Sequence, residues 1–124
     1  MDSNNSIVLT RRVIITSSSP ITREEFVKKI KRSVEEIINF LKKNGCTKLG
    51  HIEMISTTDG EDYLELCVSD IKQEPKIKGV LRKKFEKIKL TFNIIEFGIS
   101  REDIEKKINE EIKGLQEYFT AKSG

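Results

Sequence analysis

Residues 21–44 constrain what this chain can fold into more than any other stretch, because their spacing fits a helix with one buried face. Thr22 is a strong N-cap residue, and Glu25 stands three positions later, where a capping box places its acid. Ile21 before the cap and Phe26 at the fourth helical position match a hydrophobic staple. Phe26, Ile30, Val34, Ile37 and Leu41 then recur at helical spacing, and Val27 and Ile38 widen the stripe. Asn44-Gly45 supplies the stop, with Gly45 free to turn left-handed. A stripe that wide must be covered, so the rest of the chain has to provide an apolar surface.

That surface reads as a sheet. Residues 7–16 are rich in β-branched side chains and form a strand, and the unbroken Val13-Ile14-Ile15 predicts cover on both faces there. Residues 16–20, Thr-Ser-Ser-Ser-Pro, read as the loop into the helix. Backbone N–H groups at a helix start can hold an anion, but no Gly-rich loop or GK[ST] stands here, so these hydroxyls read as capping and turn chemistry.

After Gly45, residues 49–57 and 61–69 form a hairpin around Thr58-Asp59-Gly60. A three-residue loop with Gly60 in a left-handed bulge pairs Thr57 with Glu61, Met54 with Leu64 and Ile52 with Leu66. In that register His51 faces Cys67, and Glu53 faces Glu65. Residues 70–86 read as a loop with one or two helical turns at Ile77, Val80, Leu81 and Phe85, because Pro75 and Gly79 oppose anything longer. Residues 87–97 are the strongest strand, with Ile88, Leu90, Phe92 and Ile94 alternating toward the core.

A second helix over residues 100–119 repeats the start of the first: Ile99 as staple, Ser100 as cap, Asp103 and Ile104 as the third and fourth positions. The likeness of ITREEFVKKI to ISREDIEKKI stops after ten positions, and capping selects most of it. The element order is β-α-β-β-β-α. The predicted fold is a two-layer α+β sandwich, a four-stranded, mostly antiparallel sheet with both helices on one face. A helix over residues 76–86 would make it ferredoxin-like with an added C-terminal helix. The α-β-β-β-α run resembles the core of double-stranded-RNA-binding domains, which present basic residues at the start of their last helix. Here Arg101-Glu102-Asp103 stands there, so no family is identified.

At 124 residues the chain fits one domain, expected over residues 7–120, with frayed ends at 1–6 and 121–124. No apolar run reaches the roughly 20 residues that cross a bilayer, and the polar N-terminus lacks a signal pattern. A cytoplasmic location and no membrane partner are therefore expected. Cys46 and Cys67 form no CxxC and read as free thiols. Abundant Ile, Lys and Glu with few Gln give a thermophile-like composition.

The chain has one histidine, and no HExxH, GxSxG, P-loop or GxGxxG. Facing His51, Cys67 with Glu53 and Glu65 could bind zinc or activate the thiol. The set offers a single nitrogen ligand, however, so neither a metal, a cofactor nor a catalytic residue is expected. Charge is more informative. Residues 72–89 hold eight Lys and Arg against two Glu, although the whole chain is only +3. Lys76, Lys78, Arg82, Lys83, Lys84 and Lys87, beside a sheet face with Tyr63 and Phe97, suit phosphates and unstacked bases. The plain alternative is a solvated lysine-rich loop. The same sheet face carries Ile55, Tyr63, Ile95 and Phe97, more apolar than a solvated surface requires. The expectation is a non-enzymatic binding module that self-associates as a homodimer through that face. The alternative is sequence-nonspecific binding of nucleic acid or another acidic partner.

Overall fold

The computed structural model describes residues 6–122. In chain order the elements are β1 (Ser6–Ile21), α1 (Arg23–Lys43), β2 (Lys48–Thr57), β3 (Tyr63–Val68), β4 (Lys76–Val80), β5 (Phe85–Phe97) and α2 (Arg101–Ala121). Both helices start where their caps lie. Thr22 Oγ1 accepts from the Glu25 N–H at 3.2 Å, and Ser100 Oγ from the Asp103 N–H at 3.2 Å. The Glu25 carboxylate turns instead to α2, accepting from the Tyr118 hydroxyl at 3.1 Å and pairing with Lys122 at 3.3 Å. Gly45 follows the C-cap Asn44 with φ +89°, the left-handed exit that the sequence indicates.

The sheet has five strands in the order β1-β5-β2-β3-β4, every neighbouring pair antiparallel. The four-stranded expectation is corrected by β4. Its residues fall in the segment read as loop or helix, so the helix over 76–86 on which the ferredoxin-like alternative rested is not formed. β4 buries little, and Ile77 is its one partly buried apolar side chain. Its strand state comes from the ladder with β3, in which Leu66 pairs with Ile77 and Tyr63 with Val80.

β1 also outruns its expected end. The hydroxyl stretch continues the strand, with Ser17 and Ser19 buried and Ser18 and Pro20 exposed in strict alternation. Across an irregularity in the ladder Ile21 pairs with Phe85. The run Val13-Ile14-Ile15 is not covered on both sides: Ile15 is fully buried and Ile14 is 47% exposed. The expected frayed ends overlap ordered structure, since Ser6 opens β1 and Ala121 closes α2. Residues 1–5 and 123–124 lie outside the described residues.

The β2–β3 register is shifted by two residues from the expected one. Thr57 pairs with Tyr63, Met54 with Leu66 and Ile52 with Val68. Gly60 takes no left-handed conformation. The loop runs from Thr58 to Asp62, closed by a 3.3 Å bond from the Thr58 N–H to the Asp62 carbonyl. The Asp62 side chain is engaged elsewhere. Its carboxylate accepts from the Arg82 and Lys83 N–H groups at 2.8 and 3.2 Å, tying this loop to the β4–β5 loop. A shift of two keeps every side chain on its face. Ile52, Met54, Leu64, Leu66, Leu90 and Phe92 therefore form the buried sheet face as expected.

Against that face lie the two helical stripes, Phe26 to Leu41 on α1 and Ile104, Ile108, Ile112, Leu115 and Phe119 on α2. The helices touch each other, and α2 rests on β1. There Arg11 reaches from the edge strand to Glu105 at 2.6 Å and Asn109 at 3.2 Å. Phe26 centres an aromatic cluster, with ring centroids 5.4 Å from Phe85 and 6.0 Å from Phe119. Among the described residues the opposite sheet face carries no helix, and no helix is long and apolar enough to cross a membrane.

Candidate functional site

The uncovered face is laid out by strand alternation. Successive side chains on a strand point to opposite faces, so the residues paired with one another across the ladders share a row. One row runs Val8, Ile95, His51. The next runs Thr10, Asn93, Glu53, Cys67, Lys76, and the third Arg12, Thr91, Ile55, Glu65, Lys78. The fourth runs Ile14, Lys89, Thr57, Tyr63, Val80, and beyond it Thr16 pairs with Lys87.

These rows collect charge at one end. Arg12, Lys87, Lys89 and Lys78 share the third to fifth rows, and Lys76 lies one row back. Arg82, Lys83 and Lys84 are exposed in the adjoining β4–β5 loop, held there through Asp62. Tyr63 stands among them, 46% exposed. Its ring occupies space that Gly79 leaves vacant, since a Cβ at Gly79 would come 2.9 Å from Tyr63 Cε2.

All of the sequence-derived sheet residues therefore share one face, but not one spot. Ile55, Ile95 and Phe97 are half-buried on it. Phe97 sits at the far end, eight residues along β5 from Lys89, roughly 27 Å at about 3.4 Å per residue. It cannot share a base-stacking site with Tyr63; its cationic neighbour is Lys48, with Nζ 5.8 Å from the ring centroid. Sequence reasoning missed Arg12 as a partner of the basic segment, which itself ends at Lys89. Arg12 carries a signal, a cation at an outward position of an alternating strand, but only the β1–β5 ladder places it one row from Lys89.

Near the centre of the face stands a second cluster. The shifted register pairs Glu53, not His51, with Cys67, and Ile55, not Glu53, with Glu65. His51 still meets Cys67 on the diagonal, with Nε2 3.9 Å from Sγ. Nε2 is also 3.8 Å from Glu53 Oε2. The ligand atoms of His51, Glu53 and Cys67 all lie within 4.8 Å of one another, half-buried. Asn93 Nδ2 donates to Glu53 Oε1 at 3.2 Å, and Thr10 Oγ1 donates to Asn93 Oδ1 at 2.7 Å.

Burial, followed by the charges of Glu65 and Glu53, pushes the Cys67 thiol above its ordinary range. A hydrogen bond shared with Glu53 raises Glu65 in turn. An activated thiol needs the opposite shift, so this environment disfavours Cys67 as a nucleophile. On the helix side, a cavity of about 180 Å³ between α1 and α2 is lined by Lys29, Arg32, Glu36 and Glu111. Leu115 and Tyr118 complete its lining, and most of it is flexible charged chain rather than the apolar wall that small-molecule sites use.

No family model matches this chain, and none of the curated proteins does. A crystal structure of a Zn(II)-bound triple mutant of YjiA GTPase is similar to it, with a TM-score of 0.49 and 14% identity. The match covers 86% of this chain and 30% of that one, so this chain spans under a third of that protein's length. The likeness is too slight to carry weight, and the zinc and the GTPase named there belong to that protein.

Proposed function

We propose that this protein is a non-enzymatic binding module whose uncovered sheet face holds single-stranded nucleic acid. The observation that carries this reading is that Arg12, Lys76, Lys78, Lys87 and Lys89 share that face with Tyr63, with Arg82, Lys83 and Lys84 at its end. Cations along a groove or face track a phosphate backbone, and an exposed ring stacks any base. A sheet backed by helices on one side suits splayed single strands, whose bases lie open to it. The same charge speaks against stacking two copies face to face, because it would set like charges against each other. Self-association through Ile55, Tyr63, Ile95 and Phe97 is therefore the second reading, favoured by the exposed apolar Val8 and Val80 at the margins.

The test is a salt titration with fluorescent oligonucleotides, followed by anisotropy. Engaging about four phosphates of a single strand gives a slope near −3 in log K against log salt. Reversing Lys87 and Lys89 to Glu weakens all sequences alike and flattens the slope. Tyr63→Ala costs single strands about 1–3 kcal/mol and duplexes less. No binding at about 50 mM salt, where attraction is little screened, refutes the nucleic-acid reading. The face then falls to self-association, which light scattering reads as twice the monomer mass.

A further inference from the structure

We propose that His51, Glu53 and Cys67 form a zinc site on the uncovered sheet face. The three residues supply imidazole nitrogen, carboxylate oxygen and thiolate sulfur, a borderline-soft set that suits zinc and excludes the oxygen-seeking magnesium and calcium. Geometry decides whether they can close on one ion. With Zn–S about 2.3 Å and Zn–N or Zn–O about 2.0 Å, tetrahedral angles place ligand atoms roughly 3.3–3.6 Å apart. The Sγ–Nε2 and Nε2–Oε2 separations are 3.9 and 3.8 Å. Those two close by a few tenths of an ångström and the third, Sγ to the Glu53 carboxylate, lies within 4.8 Å, a gap that rotamer adjustment on adjacent strands closes.

The backbone holds the set in place. His51 and Glu53 are two apart on β2 and so share a face, and Glu53 is directly paired with Cys67 on β3. The outer support of a metal site is present as well. Thr10 fixes Asn93, and Asn93 fixes Glu53 through Oε1, leaving Oε2 beside His51. Charge points the same way: Glu65 sits diagonally beyond Glu53 on the same sheet face. A divalent ion offsets this concentration of negative charge, and the fourth position is left to water. Lys76 and Lys78, opposite Cys67 and Glu65 on β4, are the competing counter-ions. On binding, the thiol proton passes to solvent and sulfur coordinates as thiolate.

The experiment is cobalt and zinc loading of the tag-free full chain. Cobalt at this site gives a thiolate-to-metal charge-transfer band and the intense visible bands of four-coordinate cobalt. Zinc displaces it, and gel-filtered protein retains one zinc per chain. Cys67→Ser abolishes the charge-transfer band, while Cys46→Ser, whose thiol donates instead to the Lys48 carbonyl, leaves it unchanged. Asn93→Ala, which touches no metal, weakens zinc about 10–100-fold. Glu53→Gln, at a half-exposed position, serves as a second ligand variant that keeps the fold and loses affinity. A protein without the charge-transfer band, a band that survives Cys67→Ser, or equal zinc affinity across all variants overturns the site.

Discussion

Glu96 is the residue that most clearly costs this protein stability. It lies on the helix-facing side of β5, fully buried. Its Oε1 accepts from the Ile99 N–H at 3.0 Å, which helps to turn the chain into α2, but Oε2 has no partner among the described residues. Burial raises its carboxyl above the ordinary range, and the Ile99 bond only partly offsets this. A raised folded-state value means that protonation favours the native state. Stability is highest below the unfolded value of about 4.3 and falls as pH rises through the folded one. Glu96→Gln retains an acceptor for Ile99 and removes the buried charge. The variant should be more stable than its parent at neutral pH, the gap closing near pH 4, as urea unfolding across that range will measure. A parent that is the more stable of the two at pH 7 would mean that the charge is compensated.

At the scale of elements, the β5–α2 turn shows how tightly the end of β5 is packed against the α1–β2 loop. Gly98 has φ +110°, and a Cβ there would stand 2.5 Å from the Gly45 carbonyl oxygen and 2.8 Å from the Thr47 nitrogen. The α1–β2 loop thus runs directly against it, with the Thr47 N–H donating to the Phe97 carbonyl at 2.8 Å. Gly98→Ala is expected to cost about 2–5 kcal/mol in denaturant unfolding, from strained backbone plus displaced loop. Gly45→Ala has open space around it and should cost only the left-handed conformation, about 1–2 kcal/mol.

The elements differ in how far their residues announced them. The caps at Thr22 and Ser100 and the stripes behind them placed both helices, since capping and helical periodicity are local chemistry. β5 and the face choice on β2 and β3 were legible from alternation. β4 was not: KIKGV has one inward apolar residue, and its strand state comes from a partner that no local pattern reveals. The register of β2 on β3 was misread because Asp59-Gly60 suggests a tight loop, while Asp62 is drawn off to bind the β4–β5 loop. That single shift moved Glu53 opposite Cys67. The grouping of His51, Cys67 and Glu53 was readable from face alternation, and which of them stand directly opposite was not.

Across the whole molecule, two helices cover one face of a five-stranded sheet and leave the other to its own side chains. The basic segment seen in the sequence forms one end of that face, and the β1–β5 ladder extends it to Arg12. The face carries its cations at one end, and the His51, Glu53 and Cys67 cluster lies near its middle. Nuclear magnetic resonance of the ¹⁵N-labelled protein, titrated with a single-stranded oligonucleotide at about 50 mM salt, tests directly whether this face is the binding surface. Amide shifts are expected at Arg12, Tyr63, Lys78, Lys87, Lys89 and the 82–84 loop, with the outer helix positions Lys31, Glu35, Lys106 and Glu110 unmoved. Shifts concentrated on the exposed sides of α1 and α2, with the sheet face silent, would contradict a binding surface on the sheet.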